Sequence, residues 1–122
     1  PNDAMIEQAL ETGPRIAVLA TVAGTIPSVS EEIEAMALAR GQDVTLSQHY
    51  VEKAFDAMAA GDGETHDGMV AAAARNINDA DVIVLAQFTL SRAVPSVSAV
   101  TDIPVLNSPG AAVAKLKDML NA

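Results

Sequence analysis

Residues 81–93, DVIVLAQFTLSRA, place polar side chains where α/β proteins build their sites. Val82, Ile83, Val84 and Leu85 form a continuous, β-branched-rich run, the composition of a strand covered on both faces. Gln87, Phe88 and Thr89 follow where that strand must leave the core, and ligands of open parallel sheets bind at the carboxyl ends of strands. The amide of Gln87 and the hydroxyl of Thr89 can orient a ligand's polar groups. Neither is a competent general base: the amide does not titrate, and the hydroxyl needs an activating neighbour. The plainer role for both is hydrogen bonding to local backbone.

A second polar stretch, residues 21–28 (TVAGTIPS), follows the apolar run RIAVLA. Thr21, Gly24, Thr25 and Ser28 combine hydroxyls, a glycine and a helix amino terminus, which together can hold a carboxylate or phosphate through backbone N–H groups and the helix dipole. The stretch lacks the Walker lysine and the G-x-G-x-x-G spacing, so nucleotide binding has no support. Its structural alternative is equally simple, with Ser28 capping the helix in a capping box with Glu31 and the threonines satisfying the turn. Asn107 and Ser108, before Pro109, read as a helix cap that doubles as an anion nest.

The two histidines differ in setting. His49 lies near a strand end and can face a ligand, whereas His66, beside Asp67 in the first turn of a helix, reads as a solvated surface residue. Their separation offers no metal-ligand spacing, and the acidic group Asp62, Glu64 and Asp67 has no calcium-loop spacing and reads as a solvated turn. No metal and no cofactor is expected. The absence of cysteine removes disulfides, thiolate ligands and cysteine nucleophiles together.

The elements that must position these residues alternate along the chain. A helix over 3–12 carries Ile6, Ala9 and Leu10 on one face; a strand covers 15–21; a helix starting at Pro27 and Ser28 ends at Gly41. A strand begins at 43–46 and extends toward Tyr50, then a helix over 51–60 turns Phe55 and Met58 inward. A helix over 65–77 follows, with Met69, Val70, Ala73, Ala74 and Ile77 on one stripe. After the strand at 82 come a short helix over 91–100 interrupted by Pro95, a strand over 103–106, and a final helix from Ser108 and Pro109 with Ala112, Val113, Leu116 and Leu120 facing the core. Such alternation predicts an α/β three-layer sandwich around a parallel, four-stranded sheet, with the strands starting near Arg15 and Val82 as central neighbours.

Composition bounds the rest. The chain has 122 residues, half of them apolar, enough for one domain over 1–122 with a substantial core. A formal charge of −9, seven scattered Lys and Arg, and only Tyr50, Phe55 and Phe88 as aromatics argue against nucleic acid. No apolar run approaches the roughly 18 to 20 residues of a membrane span, and no signal peptide opens the chain, so no membrane association and a cytoplasmic location are expected. The chain opens on Pro1 rather than Met.

RIAVLATVAGTIPS (15–28), ADVIVLAQFTLSRA (80–93) and IPVLNSPGAAV (103–113) together resemble the carboxyl-terminal lobe of the aspartate/glutamate/hydantoin racemase family. The resemblance covers nearly the whole chain. It implies one of two pseudo-symmetric α/β lobes flanking a cleft, with residues 1–13 as a connecting helix and no cofactor. The family pattern T-x-G-T-x-x-S matches Thr21, Gly24, Thr25 and Ser28 with one additional residue between Thr21 and Gly24, and implies a role for that loop in holding a substrate carboxylate. Family racemases use one cysteine from each lobe, the second after a V-I-V-L-G-C-T strand. Ala86, Gln87 and Phe88 stand at G-C-T, so Gln87 occupies the thiol's place and a two-thiol mechanism is impossible in this chain. The resemblance therefore implies a racemase-like isomerase or lyase lobe acting on a small carboxylate such as an amino acid or hydantoin, or a non-catalytic module or inactive fragment that binds one. Phe88 and Thr89 join the substrate-binding set. Either a missing amino-terminal lobe or a homo-oligomer is expected to complete the cleft, with Ile6, Leu10 and Leu120 as apolar residues in need of cover.

Overall fold

A computed structural model describes residues 2–121. In chain order the elements are α1 (Asp3–Thr12), β1 (Arg15–Ala20), α2 (Thr25–Ala39), β2 (Thr45–Tyr50), α3 (Glu52–Ala59), α4 (Gly63–Arg75) and β3 (Val82–Leu85). A 3₁₀ helix (Phe88–Ala93), α5 (Val94–Ser98), β4 (Val105–Asn107) and α6 (Ser108–Leu120) complete them. The four strands form one parallel sheet in the order β2-β1-β3-β4, with Ile16 opposite Val82 and Arg15 opposite Thr45. The α/β class and the central pairing of β1 with β3 agree with the sequence.

The period of two along a strand explains the layering. Ile16, Val18, Ala20, Val82 and Val84 face one side, where Met5, Ile6, Ala9 and Leu10 of α1, Ile26, Val29 and Ile33 of α2, and Ala111 of α6 cover them. Ala17, Leu19, Ile83 and Leu85 face the other, under Ala54 of α3, Val70 and Ala74 of α4, and Leu90, Ala93 and Val97 of the segment after β3. Both faces of the central strands are thus filled, as their unbroken apolar composition requires.

At the amino edge of the sheet, Asp81 locks β3 to β1. Its carboxylate accepts from the Arg15 N–H and from Arg15 Nη2, both at 2.9 Å, while the Asp81 N–H donates to the Arg15 carbonyl at 2.8 Å. Asp79 pairs with the same guanidinium. Arg15 holds the Asp81 carboxyl below its ordinary value, chiefly through the side-chain hydrogen bond and then the backbone one.

Several expectations need correction. Helix α2 starts at Thr25 with Gly24 as its N-cap and no side-chain cap, so Ser28 lies on an exposed turn inside the helix and makes no capping box. Pro27 is tolerated there because first-turn N–H groups have no intrahelical partner to lose. Helix α3 buries only Ala54 and leaves Phe55 half-exposed, since a small residue lets it lie close to α4. Helix α6 buries only Ser108 and Ala111. It meets the sheet by its first turn and then runs along α1, where Lys115 pairs with Glu7, leaving Val113, Leu116 and Leu120 in solvent. Ile6 and Leu10, by contrast, are covered by this chain's own sheet and helices and need no partner.

The last strand begins at Val105 rather than Ile103, and Pro95 sits in the first turn of α5, directly after the 3₁₀ helix, rather than inside a helix over 91–100. Gly41 sits at φ +66°, the left-handed stop expected after α2. No helix among the described residues is long and apolar enough to cross a membrane.

Candidate functional site

Parallel crossovers put every strand's carboxyl end, and the amino end of the helix that returns from it, on one edge of the sheet. That edge gathers the turn 21–24, the start of α3, the first turn of α4, and Gln87 with the 3₁₀ helix behind it. Between β1 and β3 the strand order reverses direction, which makes their carboxyl ends the switch point where open α/β sheets form a crevice.

Gln87 spans that point. Its Oε1 accepts from the Thr21 N–H at 2.6 Å and the Val22 N–H at 2.9 Å, and its Nε2 donates to Thr21 Oγ1 at 3.0 Å and Thr89 Oγ1 at 3.4 Å. Two converging backbone donors require the carbonyl end of the amide to face them, which fixes its orientation. The side chain is consumed in joining the two strand ends. Beyond it, the Thr25 N–H donates to the Val22 carbonyl and the Ile26 N–H to that of Ala23, closing the turn. Among the described residues the N–H groups of Ala23 and Gly24 retain no partner.

Thr21 and Thr89 line a cavity of about 170 Å³ with Phe55, Met58, Ala59 and His66. A second hollow of about 260 Å³ shares Thr21 and Phe55 with it and adds Val22, Ala23, Tyr50, Glu52 and Asp56. All three aromatics of the chain stand exposed, two of them in these walls; Phe88 projects from the surface nearby at 71% exposure. Thr25 is half-buried in the first turn of α2, while Gly24 has an ordinary φ of −67° and open space at its Cβ position, so nothing steric demands glycine there.

His66 reverses its expected place. It is 1% exposed, and its Nδ1 lies 2.8 Å from Asp67 Oδ1. Asp67 in turn receives Arg92 Nε at 3.0 Å and Nη2 at 3.2 Å. Burial alone raises the Asp67 carboxyl, but hydrogen bonds from Arg92 and His66 outweigh it and hold the group below its ordinary value. An ionised carboxylate only accepts, so Nδ1 carries a proton, and Nε2 is the ring nitrogen without a partner among the described residues. The acidic group read as a solvated turn is therefore two devices: Asp62 caps α4 by accepting from the Thr65 N–H, and Asp67 orients His66.

The signal for His66 lay in topology rather than composition. A residue in the first turn of a crossover helix must lie near the strands' carboxyl edge. His49 goes elsewhere: its Nε2 is 2.9 Å from Ser47 Oγ, in a separate groove with Thr45, Asn76 and Asp79, and burial lowers its titration. Asn107 caps α6 by accepting from the Gly110 N–H at 2.9 Å. No group of three or more potential metal ligands occurs among the described residues. No protein-family model, curated protein or solved structure matches this chain.

Proposed function

We propose that this chain is a racemase-like isomerase or lyase lobe, working without a cofactor, that takes a small carboxylate of the amino-acid or hydantoin kind at the carboxyl edge of its sheet. The observation that carries the proposal is the pair of adjoining hollows at the carboxyl edge, one between the ends of β1 and β3 and the other between the ends of β1 and β2, which share Thr21 and Phe55. The open N–H group of Ala23, which lines the second hollow, and that of Gly24 next to it suit a carboxylate. Glu52 and Asp56 on the opposite wall suit an ammonium, and Phe55, Met58 and Ala59 suit an apolar side chain. Gln87 contributes by shaping the loop rather than by chemistry. Its complete engagement favours a second reading, ligand binding without turnover.

Titration of the ¹⁵N-labelled chain with leucine and aspartate tests the proposal. Amide shifts centred on Ala23, Gly24 and Glu52 support it; absence of any shift at millimolar ligand overturns it. Exchange of the ligand's α-hydrogen in heavy water then separates turnover from binding alone.

A further inference from the structure

We propose that His66 is the proton-accepting group of the cavity at the carboxyl edge, with Asp67 as its positioning residue, and that its substrate is a small carbon acid bearing an apolar side chain. The inference rests on the small-carboxylate reading above and supplies the base that Gln87 cannot be.

Three observations converge on it. His66 is almost wholly buried yet lines the cavity with Thr21 and Thr89. Its Nδ1 is engaged by Asp67, so the ring nitrogen without a partner among the described residues is Nε2. Asp67 is itself held by two donors of Arg92, so the carboxylate cannot turn away from the imidazole without breaking a second set of hydrogen bonds. A base oriented by a carboxylate, and that carboxylate oriented by a third group, is the arrangement by which proteins fix an imidazole tautomer for acid–base work.

Arg92 is half-exposed, and its guanidinium lies against the start of α4. A Cβ added at Gly63 would meet Arg92 Nη2 at 2.3 Å, so glycine at the start of α4 makes room for the guanidinium on Asp67. The remaining wall is Phe55, Met58 and Ala59, which carries no charge and favours an apolar substituent on the reacting carbon.

The step is a proton transfer. The Nε2 lone pair takes the hydrogen next to the substrate carbonyl, the C–H electron pair becomes the C=C bond of an enolate, and the negative charge rests on the carbonyl oxygen. The imidazolium exchanges its proton with solvent and returns a solvent-derived one to carbon. One base restores the same face, so this chain alone exchanges the hydrogen without inverting the centre.

The experiment follows α-hydrogen exchange by NMR in heavy water for the 122-residue chain with leucine, 5-isobutylhydantoin and aspartate, alongside the binding shifts. Exchange above a protein-free control is expected for the two apolar probes and less for aspartate. His66→Gln is expected to lose at least about 100-fold of it while retaining the binding shifts, the lower end of what a positioned base contributes. Asp67→Asn keeps the ring but removes the carboxylate, so the imidazole ¹⁵N spectrum should lose its preference for Nδ1–H and exchange should fall with it. Binding accompanied by equal exchange in wild type and His66→Gln overturns the role of His66 and leaves the binding reading intact. Loss of all binding shifts in the wild type overturns that reading. No exchange with any probe, or a wild-type ring protonated at Nε2 rather than Nδ1, overturns the proposal whatever the variants do.

Discussion

Gln87 and Thr21 are joined at both ends of one amide: Oε1 accepts from the Thr21 N–H at 2.6 Å, and Nε2 donates to the Thr21 hydroxyl at 3.0 Å. Thr21 is 3% exposed, and removing the amide leaves its N–H without its acceptor. Gln87→Ala is therefore expected to destabilise the fold by about 1–3 kcal/mol, the cost of a buried donor left unsatisfied. Gln87→Cys is expected to cost a similar amount, because a short thiol cannot replace two strong acceptor contacts. Urea denaturation of the two variants checks both, and stability equal to wild type in either contradicts the clamp.

Gly13 and Asp81 set a second constraint at the opposite edge. A Cβ on Gly13 would lie 2.6 Å from Asp81 Cβ, an atom tied to backbone and unable to swing aside. The backbone at Gly13 is extended, with φ 165°, so sterics rather than conformational freedom demand glycine. Gly13→Ala should lower stability by about 1–3 kcal/mol as an overpacked contact does. A thermal midpoint unchanged from wild type counts against this.

Acid stability follows from Asp67 and Asp81, both of whose carboxyls titrate lower in the fold than in the free chain. A depressed carboxyl contributes stability that is complete above the unfolded pKa of about 3.9 and is lost as pH falls through the folded value. Stability measured from pH 6 downward should therefore drop below about pH 4, and the double variant Asp67→Asn, Asp81→Asn should show a shallower drop from a lower starting point. An identical pH slope in the variant refutes the assignment.

Core and surface apolar residues should separate cleanly. Ile33 is fully buried, and Ile33→Ala is expected to cost about 2–5 kcal/mol. Leu116 and Leu120 are 56% and 76% exposed, and substitution of either by Gln should stay within about 0.5 kcal/mol. A large loss at Leu120 would mean that this helix face is covered in solution.

Composition and period were sufficient for the sheet. Ile16–Ala20 and Val82–Leu85 carry short, unbroken apolar runs, the second β-branched-rich, of the kind a strand buried on both faces carries, and the helical stripes between them point to parallel crossovers. Gln87 is legible as a strand-end residue for the same reason, but its backbone partners are Thr21 and Val22, distant in sequence, rather than the local backbone that its plainer reading expects. Local pattern failed where burial depends on distant neighbours. The apolar positions of α6 repeat as a core stripe should, yet that helix leaves the sheet after its first turn, and no local signal records where a helix departs from its sheet.

His66 shows the same division more sharply. Its residue type and its neighbour Asp67 were evident from the chain, and both suggested a solvated first turn. Only the tertiary structure brings Arg92, 25 residues further on, to Asp67, and gathers Phe55, Met58 and Thr89 with His66 around one cavity. Local residues determined which elements form and in what order, because period and propensity act over a few residues. Long-range packing decided which polar groups meet, because burial and orientation depend on what other segments bring.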